Sequence, residues 1–223
     1  MIIFNPKQHL SVYFVADPSL CANADGGARD LVDVVMAAVR GGVSMVQLRD
    51  KRGDKAQTLV IAAMLSEMLK PLGIPFLIND DPEIAFAVGA DGVHLGQGDM
   101  SAGDARDMLG ADAIIGQTAF TADHMAAIDP AVVDYVGTGP FYETKTDKGK
   151  PVMGAEAFTQ IAALSPVPVV GIGGVTASNC AAVIAAGADG VAMMRAISGA
   201  ADPEVAARDF VSAVAAARQE EAA

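Results

Sequence analysis

Val88-Gly89-Ala90-Asp91-Gly92-Val93 returns later in the chain as Ala186-Gly187-Ala188-Asp189-Gly190-Val191. A looser copy stands at Arg40-Gly41-Gly42-Val43. Each copy ends an Ala-rich stretch, turns on glycine and opens a short apolar run. The same turn reused between a helix end and the next strand points to one repeated βα unit. A closed barrel repeats that unit around a ring, so the echo favours a barrel over an open doubly wound sheet.

Working outward from these turns, short β-branched runs occur at 12–16, 45–48, 76–78, 92–95, 114–117, 135–138, 167–172 and 190–193. Their apolarity is continuous rather than alternating, which suits parallel strands covered on both faces. Between them lie helical stretches at 29–40, 55–70, 82–88, 102–108, 122–128, 155–164, 177–185 and 203–218. Asp81-Pro82 and Asp202-Pro203 each offer an N-cap followed by proline at the first helical position. Ser101, Thr121 and Thr176 are further cap candidates, and Gly89, Gly110 and Gly187 stand just past helix ends. Strict alternation, with no linker, predicts an α/β fold: a (β/α)8 TIM barrel in one domain over residues 1–223, its core at about 12–218.

Composition narrows the function. Hydrophobic residues make up 52% of the 223, enough for a large core. No apolar run reaches the ~18 residues of a membrane span, and the start Met1-Ile2-Ile3-Phe4-Asn5-Pro6 does not read as a secretory signal. Cys21 and Cys180 are far apart and outside any CxxC, so free buried thiols in a reducing compartment, the cytoplasm, are expected. A net charge of −12 argues against nucleic acid, which is bound through Lys and Arg. It also repels anionic substrates, so any phosphate must meet a local cationic pocket or a metal.

In such barrels the chemistry sits at the carboxyl ends of the strands. The second strand runs into Gln47-Leu48-Arg49-Asp50-Lys51, where alternation puts Gln47, Arg49 and Lys51 on one side. Arg supplies a bidentate fork and Lys a point charge, both suited to phosphoryl oxygens. The third strand ends Asn79-Asp80-Asp81 and the fourth His94-Leu95-Gly96-Gln97-Gly98-Asp99. With Asp81 capping a helix, Asp80 is left to meet Asp99 across adjacent strands. Two carboxylates with substrate oxygens and water make a usual Mg²⁺ sphere; the plainer reading of Asp99 is a cap before Ser101. His94 reads as a satisfied interior residue, His9 and His124 as surface residues. The seventh strand ends Gly173-Gly174, where phosphate could approach the backbone beside a following helix N-terminus. The eighth ends Met193-Met194-Arg195, so the two loops together suggest a monophosphate site. The long polar stretch from Gly139 to Gly154, rich in Lys, falls on the same face. Two anion sites suggest a transferase with two small-molecule substrates, one carrying a diphosphate and the other a monophosphate.

These stretches, together with Gly137-Thr138-Gly139-Pro140 and Thr144-Lys145-Thr146, resemble the thiamine-phosphate synthases from about residue 12 to 197. The resemblance implies condensation of hydroxymethylpyrimidine diphosphate with thiazole phosphate to give thiamine phosphate and diphosphate. It implies a Mg²⁺-assisted dissociative course in which diphosphate leaves and the thiazole nitrogen attacks. By matched position, Gln47, Arg49, Lys51 and Asn79 bind the pyrimidine diphosphate, and Asp80 and Asp99 bind Mg²⁺. Thr144, Thr146 and Gly174, beside Gly173 and Met194, bind the thiazole phosphate. The chain departs from the family pattern in three places. Asp147 stands where a Lys is usual, so Lys148 joins Arg49 and Lys51 as a catalytic cation, or Lys145 supplies the contact, or the contact is lost. Thr118 and Phe120 stand where Ser and His are usual after the fifth strand, with Thr118 keeping the hydroxyl as a substrate contact. Arg195 replaces a small hydroxyl residue, where it either binds phosphate or fills the pocket. The alternatives are a thiazole tautomerase-like paralogue of the same barrel and a non-catalytic thiamine-precursor binder. A homodimer through an apolar helix face is also an expectation.

Overall fold

The computed structural model describes residues 2–21, 27–146 and 151–221. Eight parallel strands close into a barrel in sequence order: β1 Val12–Ala16, β2 Met45–Leu48, β3 Phe76–Asn79, β4 Gly92–Leu95, β5 Ile114–Thr118, β6 Tyr135–Thr138, β7 Val169–Ile172 and β8 Gly190–Met193. Closure is made by β8 beside β1, with Val12 opposite Val191 and Phe14 opposite Met193. The helices are α1 Pro6–His9, α2 Leu31–Arg40, α3 Lys55–Leu69, α4 Pro82–Val88, α5 Ala102–Leu109, α6 Ala122–Ala126, α7 Gly154–Ala162, α8 Cys180–Ala185, α9 Arg195–Ser198 and α10 Pro203–Glu221.

Side chains on successive strand positions separate into two cores, as a pleated strand requires. Outward residues such as Phe14, Val46, Leu48, Phe76 and Val136 pack under the helices. Inward residues Tyr13, Val15, Met45, Leu77, Ile114, Tyr135 and Val170 fill the barrel. Phe4 closes this inner cluster, with its ring 6.2 Å from that of Tyr135. His9, expected at the surface, is buried because its ring lies beside Phe4 and its Nδ1 accepts from the Asn5 N–H at 3.1 Å.

The repeated turn has a physical cause. Asp91, just before β4, donates its N–H to the Phe76 carbonyl and accepts the Phe76 N–H on its carboxylate at 2.9 Å. Asp189, before β8, does the same to Val169 of β7 at 2.8 Å, and Asp134, before β6, to Ile115 of β5 at 2.7 Å. Ser44 fills this role for Val12 of β1. The residue before each even strand thus clasps the start of the odd strand before it, satisfying an N–H that the ladder leaves unpaired.

Several boundaries differ from the sequence reading. The helix expected from residue 29 starts at Leu31, because the Asp30 carboxylate caps the N–H of Val32. The strand expected from 167 starts at Val169, since Pro168 has no N–H for the ladder. Thr176 caps no helix: its N–H donates to the Asn179 side chain, the chain turns there, and α8 begins only at Cys180. Asp81, Ser101, Thr121 and Asp202 do hold helix N-termini. The short helices α1 and α9 were not expected. No helix among the described residues is long and apolar enough to cross a membrane. Both cysteines are free and buried.

Candidate active site

The carboxyl ends of the strands surround a cavity of about 680 Å³, within the range of small-molecule sites. Gln47, Arg49, Lys51, Asn79, Asp80, Asp99, Thr118, Thr144, Thr146, Gly173, Gly174, Met194 and Arg195 all line it. Lys145 lines it too, whereas Lys148 lies outside the described residues.

On one wall, β2 presents Gln47, Arg49 and Lys51 to the cavity while Leu48 faces the helices. Asp50 turns away and accepts the Gly53 N–H at 2.8 Å. Arg49 is not free: its guanidinium meets Asp17 at 2.6 Å. Asp17 is 4% exposed and also accepts from Ser19, so it fixes the direction of the Arg49 fork. Sequence reading missed Asp17, although it follows β1 directly and the strand-end rule would have found it.

The Lys51 ammonium lies 3.2 Å from the Asp80 carboxylate. Asp80 has φ of 66°, the one non-glycine residue with positive φ among the described residues. That left-handed conformation is strained for a residue with a Cβ and is stored at functional sites. The Asp80 N–H donates to the His94 carbonyl at 2.9 Å, which ties the strained residue to β4. The Asp99 side chain stands beside that of Asp80. Burial, with the Asp99 carboxyl beside it, pushes the Asp80 carboxyl above its ordinary value against the pull of Lys51. Two neighbouring carboxyls are a donor set of hard oxygens, and a divalent cation would relieve their repulsion. No cluster of three metal-ligating side chains occurs among the described residues, so a cation here would complete its sphere with substrate and water. Asp99 is not a helix cap; Ser101 caps α5, and Asp99 folds back to accept the Gly96 N–H at 2.7 Å.

Across the barrel, Gly173 and Gly174 have φ of +100° and +65°, conformations that glycine adopts without strain. A Cβ on Gly173 would stand 2.5 Å from the Pro140 Cα, and one on Gly174 2.5 Å from the Glu143 carbonyl oxygen. The glycines thus let the loop after β6 lie on the loop after β7. The helix that was to favour an anion beside them starts only at Cys180, so that part of the sequence argument falls. Arg195 instead supplies the positive charge here. It follows β8, and its Nε donates to the Thr146 hydroxyl at 3.1 Å, joining the β8 end to the Thr144–Thr146 loop. Thr144 Oγ1 in turn accepts the Thr146 N–H at 3.3 Å.

The cavity floor is polar. His94 Nδ1 is 3.0 Å from the Tyr135 hydroxyl and Nε2 is 3.0 Å from the Thr118 hydroxyl. Burial lowers the His94 pKa to about 4, so the ring is neutral near pH 7. Its reading as a satisfied interior residue holds, though it also lines the cavity. His124, expected at the surface, is half-buried with its ring edge-on to Phe120 at 4.6 Å.

The model of the thiamine monophosphate synthase family matches residues 12–197. The thiamine-phosphate synthase of Xanthobacter autotrophicus is 46% identical over 211 residues, covering 94% of this chain and 97% of that protein. That of Laribacter hongkongensis is 43% identical over 201 residues, covering 90% and 93%. Among solved structures, thiamine phosphate pyrophosphorylase from Pyrococcus furiosus superposes with a TM-score of 0.83 at 28% identity, over 96% of this chain and 99% of that one. A 3-hexulose-6-phosphate synthase, at 18% identity and a TM-score of 0.67, shares the fold.

Proposed function

This chain belongs to the thiamine monophosphate synthase family, and we propose that its two cavity walls divide the two substrates of that reaction between them. The enzyme condenses a hydroxymethylpyrimidine diphosphate with a thiazole phosphate, giving thiamine phosphate and releasing diphosphate. The observation that carries the division is the pairing of Lys51 with Asp80 at 3.2 Å on one wall and of Arg195 with Thr146 at 3.1 Å on the other.

Arg49, aimed by Asp17, and Lys51 take the diphosphate, with Asn79 and Gln47 beside them. Charge builds on the departing diphosphate as its bond to the pyrimidine methylene breaks. Fixed cations beside the leaving group stabilise that charge without reorganising. Asp80 and Asp99 would hold Mg²⁺, which supplies further charge neutralisation for the leaving group. Thr144, Thr146, Gly173, Gly174, Met194 and Arg195 hold the thiazole phosphate, and its ring nitrogen attacks the methylene carbon. That nitrogen attacks through its lone pair, so no base is required. Lys145 or Lys148 would supply the contact usual for a Lys after the second Thr of this loop.

The tautomerase-like alternative needs a free base. His94 has both ring nitrogens engaged in hydrogen bonds, which speaks for the synthase. The free buried cysteines support a reducing, cytoplasmic setting. The exposed Val60 and Met64 of α3, with Phe86 of α4, support a homodimer, which sedimentation velocity would test.

The test is product formation. Purified enzyme with both substrates and Mg²⁺ should yield thiamine phosphate and one equivalent of diphosphate. Thiazole isomerisation without pyrimidine consumption would favour the tautomerase, and binding without turnover the non-catalytic reading.

A further inference from the structure

Five side chains that line the cavity form one hydrogen-bonded line across its floor. The Gln47 amide nitrogen donates to the Tyr13 hydroxyl. Tyr13 and Tyr135 hydroxyls are 2.9 Å apart, Tyr135 meets His94 Nδ1 at 3.0 Å, and His94 Nε2 meets Thr118 Oγ1 at 3.0 Å. Both tyrosines and Gln47 are at most 3% exposed.

The barrel is shaped around this line. A Cβ on Gly116 would overlap the Tyr135 ring, and one on Gly137 would stand 3.0 Å from His94 Cε1. Two inward strand positions therefore carry no side chain where the line passes.

Its polarity follows from counting protons. An amide NH₂ can only donate, so Tyr13 accepts from Gln47 and turns its own proton toward Tyr135. Tyr135 then donates to His94 Nδ1, which must be unprotonated. In the neutral ring the proton sits on Nε2 and is given to the Thr118 oxygen. The Thr118 proton has no other partner among the described residues, and the cavity is where it points. The reversed line would need the Gln47 amide turned over, with its oxygen accepting the Tyr13 proton.

We propose that Gln47, through Tyr13, Tyr135 and the Nε2–H tautomer of His94, makes the Thr118 hydroxyl an obligatory donor into the cavity. A group at Thr118 must then be a hydrogen-bond acceptor. Resting on the pyrimidine diphosphate reading above, that group is an acceptor atom of this substrate, a diphosphate oxygen or an unprotonated ring nitrogen, and not its exocyclic amine. Tyr13, Tyr135 and His94 act through Thr118 and are positioning residues. A hydroxyl held as donor rejects a substrate edge that offers only N–H, because two donors would face each other unpaired.

The tautomer is directly observable. The chain has three histidines, so long-range ¹H–¹⁵N spectra of ¹⁵N-histidine-labelled enzyme can be assigned by loss of the His94 signals in His94→Asn. The expected result is the Nε2–H tautomer in the wild type and a mixture of both tautomers in Tyr135→Phe. Tyr13→Phe, which removes the hydroxyl joining Gln47 to Tyr135 and leaves the Tyr135–His94 contact in place, should also give a mixture and serves if Tyr135→Phe does not fold. In kinetics, either variant should raise KM for the pyrimidine diphosphate roughly 3- to 10-fold, the loss of one neutral hydrogen bond, and leave KM for thiazole phosphate unchanged. An Nδ1–H tautomer in the wild type overturns the proposal, as does an unchanged pyrimidine KM in both variants. An Nε2–H signal in an enzyme that ignores the pyrimidine substrate would overturn the substrate reading and leave the polarity of the line standing.

Discussion

Lys51 and Asp80 face each other at 3.2 Å, and Asp80 holds that position with a φ of 66°. A strained backbone thus aims a carboxylate at a cation on the neighbouring strand end, beside a second carboxylate. The arrangement opposes stability locally and makes sense as a site prepared for a diphosphate and its counter-ion.

Relieving that strain should stabilise the protein while disabling it. Asp80→Gly removes the Cβ from a left-handed position and one of two facing carboxyls. We expect urea unfolding to show a gain of about 1 kcal/mol, the usual order for such strain less the added freedom of glycine. Thiamine phosphate formation should be lost. A destabilised variant would mean that the Lys51 pair matters more to the fold than the strain does.

Arg195→Ser restores the small hydroxyl residue usual in the family. It removes the contact to Thr146 and a cation from the β8 end. Affinity for thiazole phosphate, measured by calorimetry, should fall roughly ten-fold, at the low end for a hydrogen bond to a charged group because the site is open to water. Equal or tighter binding would show that Arg195 fills the pocket rather than holding phosphate.

Acid should weaken the fold partly through histidine. The folded pKa of His94, about 4, lies below its ordinary 6.5, so the unfolded chain takes the proton first. This contribution is complete above pH 6.5 and is lost as pH falls from 6.5 toward 4. Between pH 7.5 and 4.5 it amounts to roughly 2–3 kcal/mol. His9, also lowered by burial, acts in the same direction. Unfolding curves of the wild type and His94→Asn at both pH values should differ by about that amount in pH dependence. Parallel behaviour would contradict the neutral buried ring.

The clasps at the other end of the barrel should matter to stability alone. Asp91→Ala leaves the Phe76 N–H without its side-chain acceptor, and Asp189→Ala does the same to Val169. Each should cost about 1–3 kcal/mol in unfolding experiments, with KM for both substrates unchanged, since active-site chemistry belongs to the opposite face. A selective change in either KM would contradict the separation of the two ends.

The barrel was legible because its turns repeat and its strands are continuously apolar. Those signals come from local chemistry: Asp91 and Asp189 each clasp a neighbouring strand, so each carries the same flanking residues. Boundaries were less legible where one side chain decides them, as Asp30 does for α2 and Asn179 before α8. Strand-end residues gave most of the cavity, since alternation alone sends Gln47, Arg49 and Lys51 inward. Tyr13 and Tyr135 were hidden among apolar neighbours. Their role depends on pairing across the barrel, 122 positions apart in sequence. His9 looked exposed because nothing nearby in sequence shows that Phe4 and the barrel end cover it.

The central claim is that the Lys51–Asp80–Asp99 wall takes the diphosphate together with Mg²⁺. The most direct measurement is the rate of diphosphate release from the pyrimidine substrate, at saturating thiazole phosphate, across a Mg²⁺ titration of the wild type and of Asp80→Asn. The prediction is a saturable dependence on Mg²⁺ in the wild type. In Asp80→Asn the dependence should shift to higher Mg²⁺ by at least ten-fold, in line with the usual cost of losing a charged contact. The affinity for thiazole phosphate should be unchanged. Release that ignores Mg²⁺, or that is untouched by Asp80→Asn, would contradict the claim.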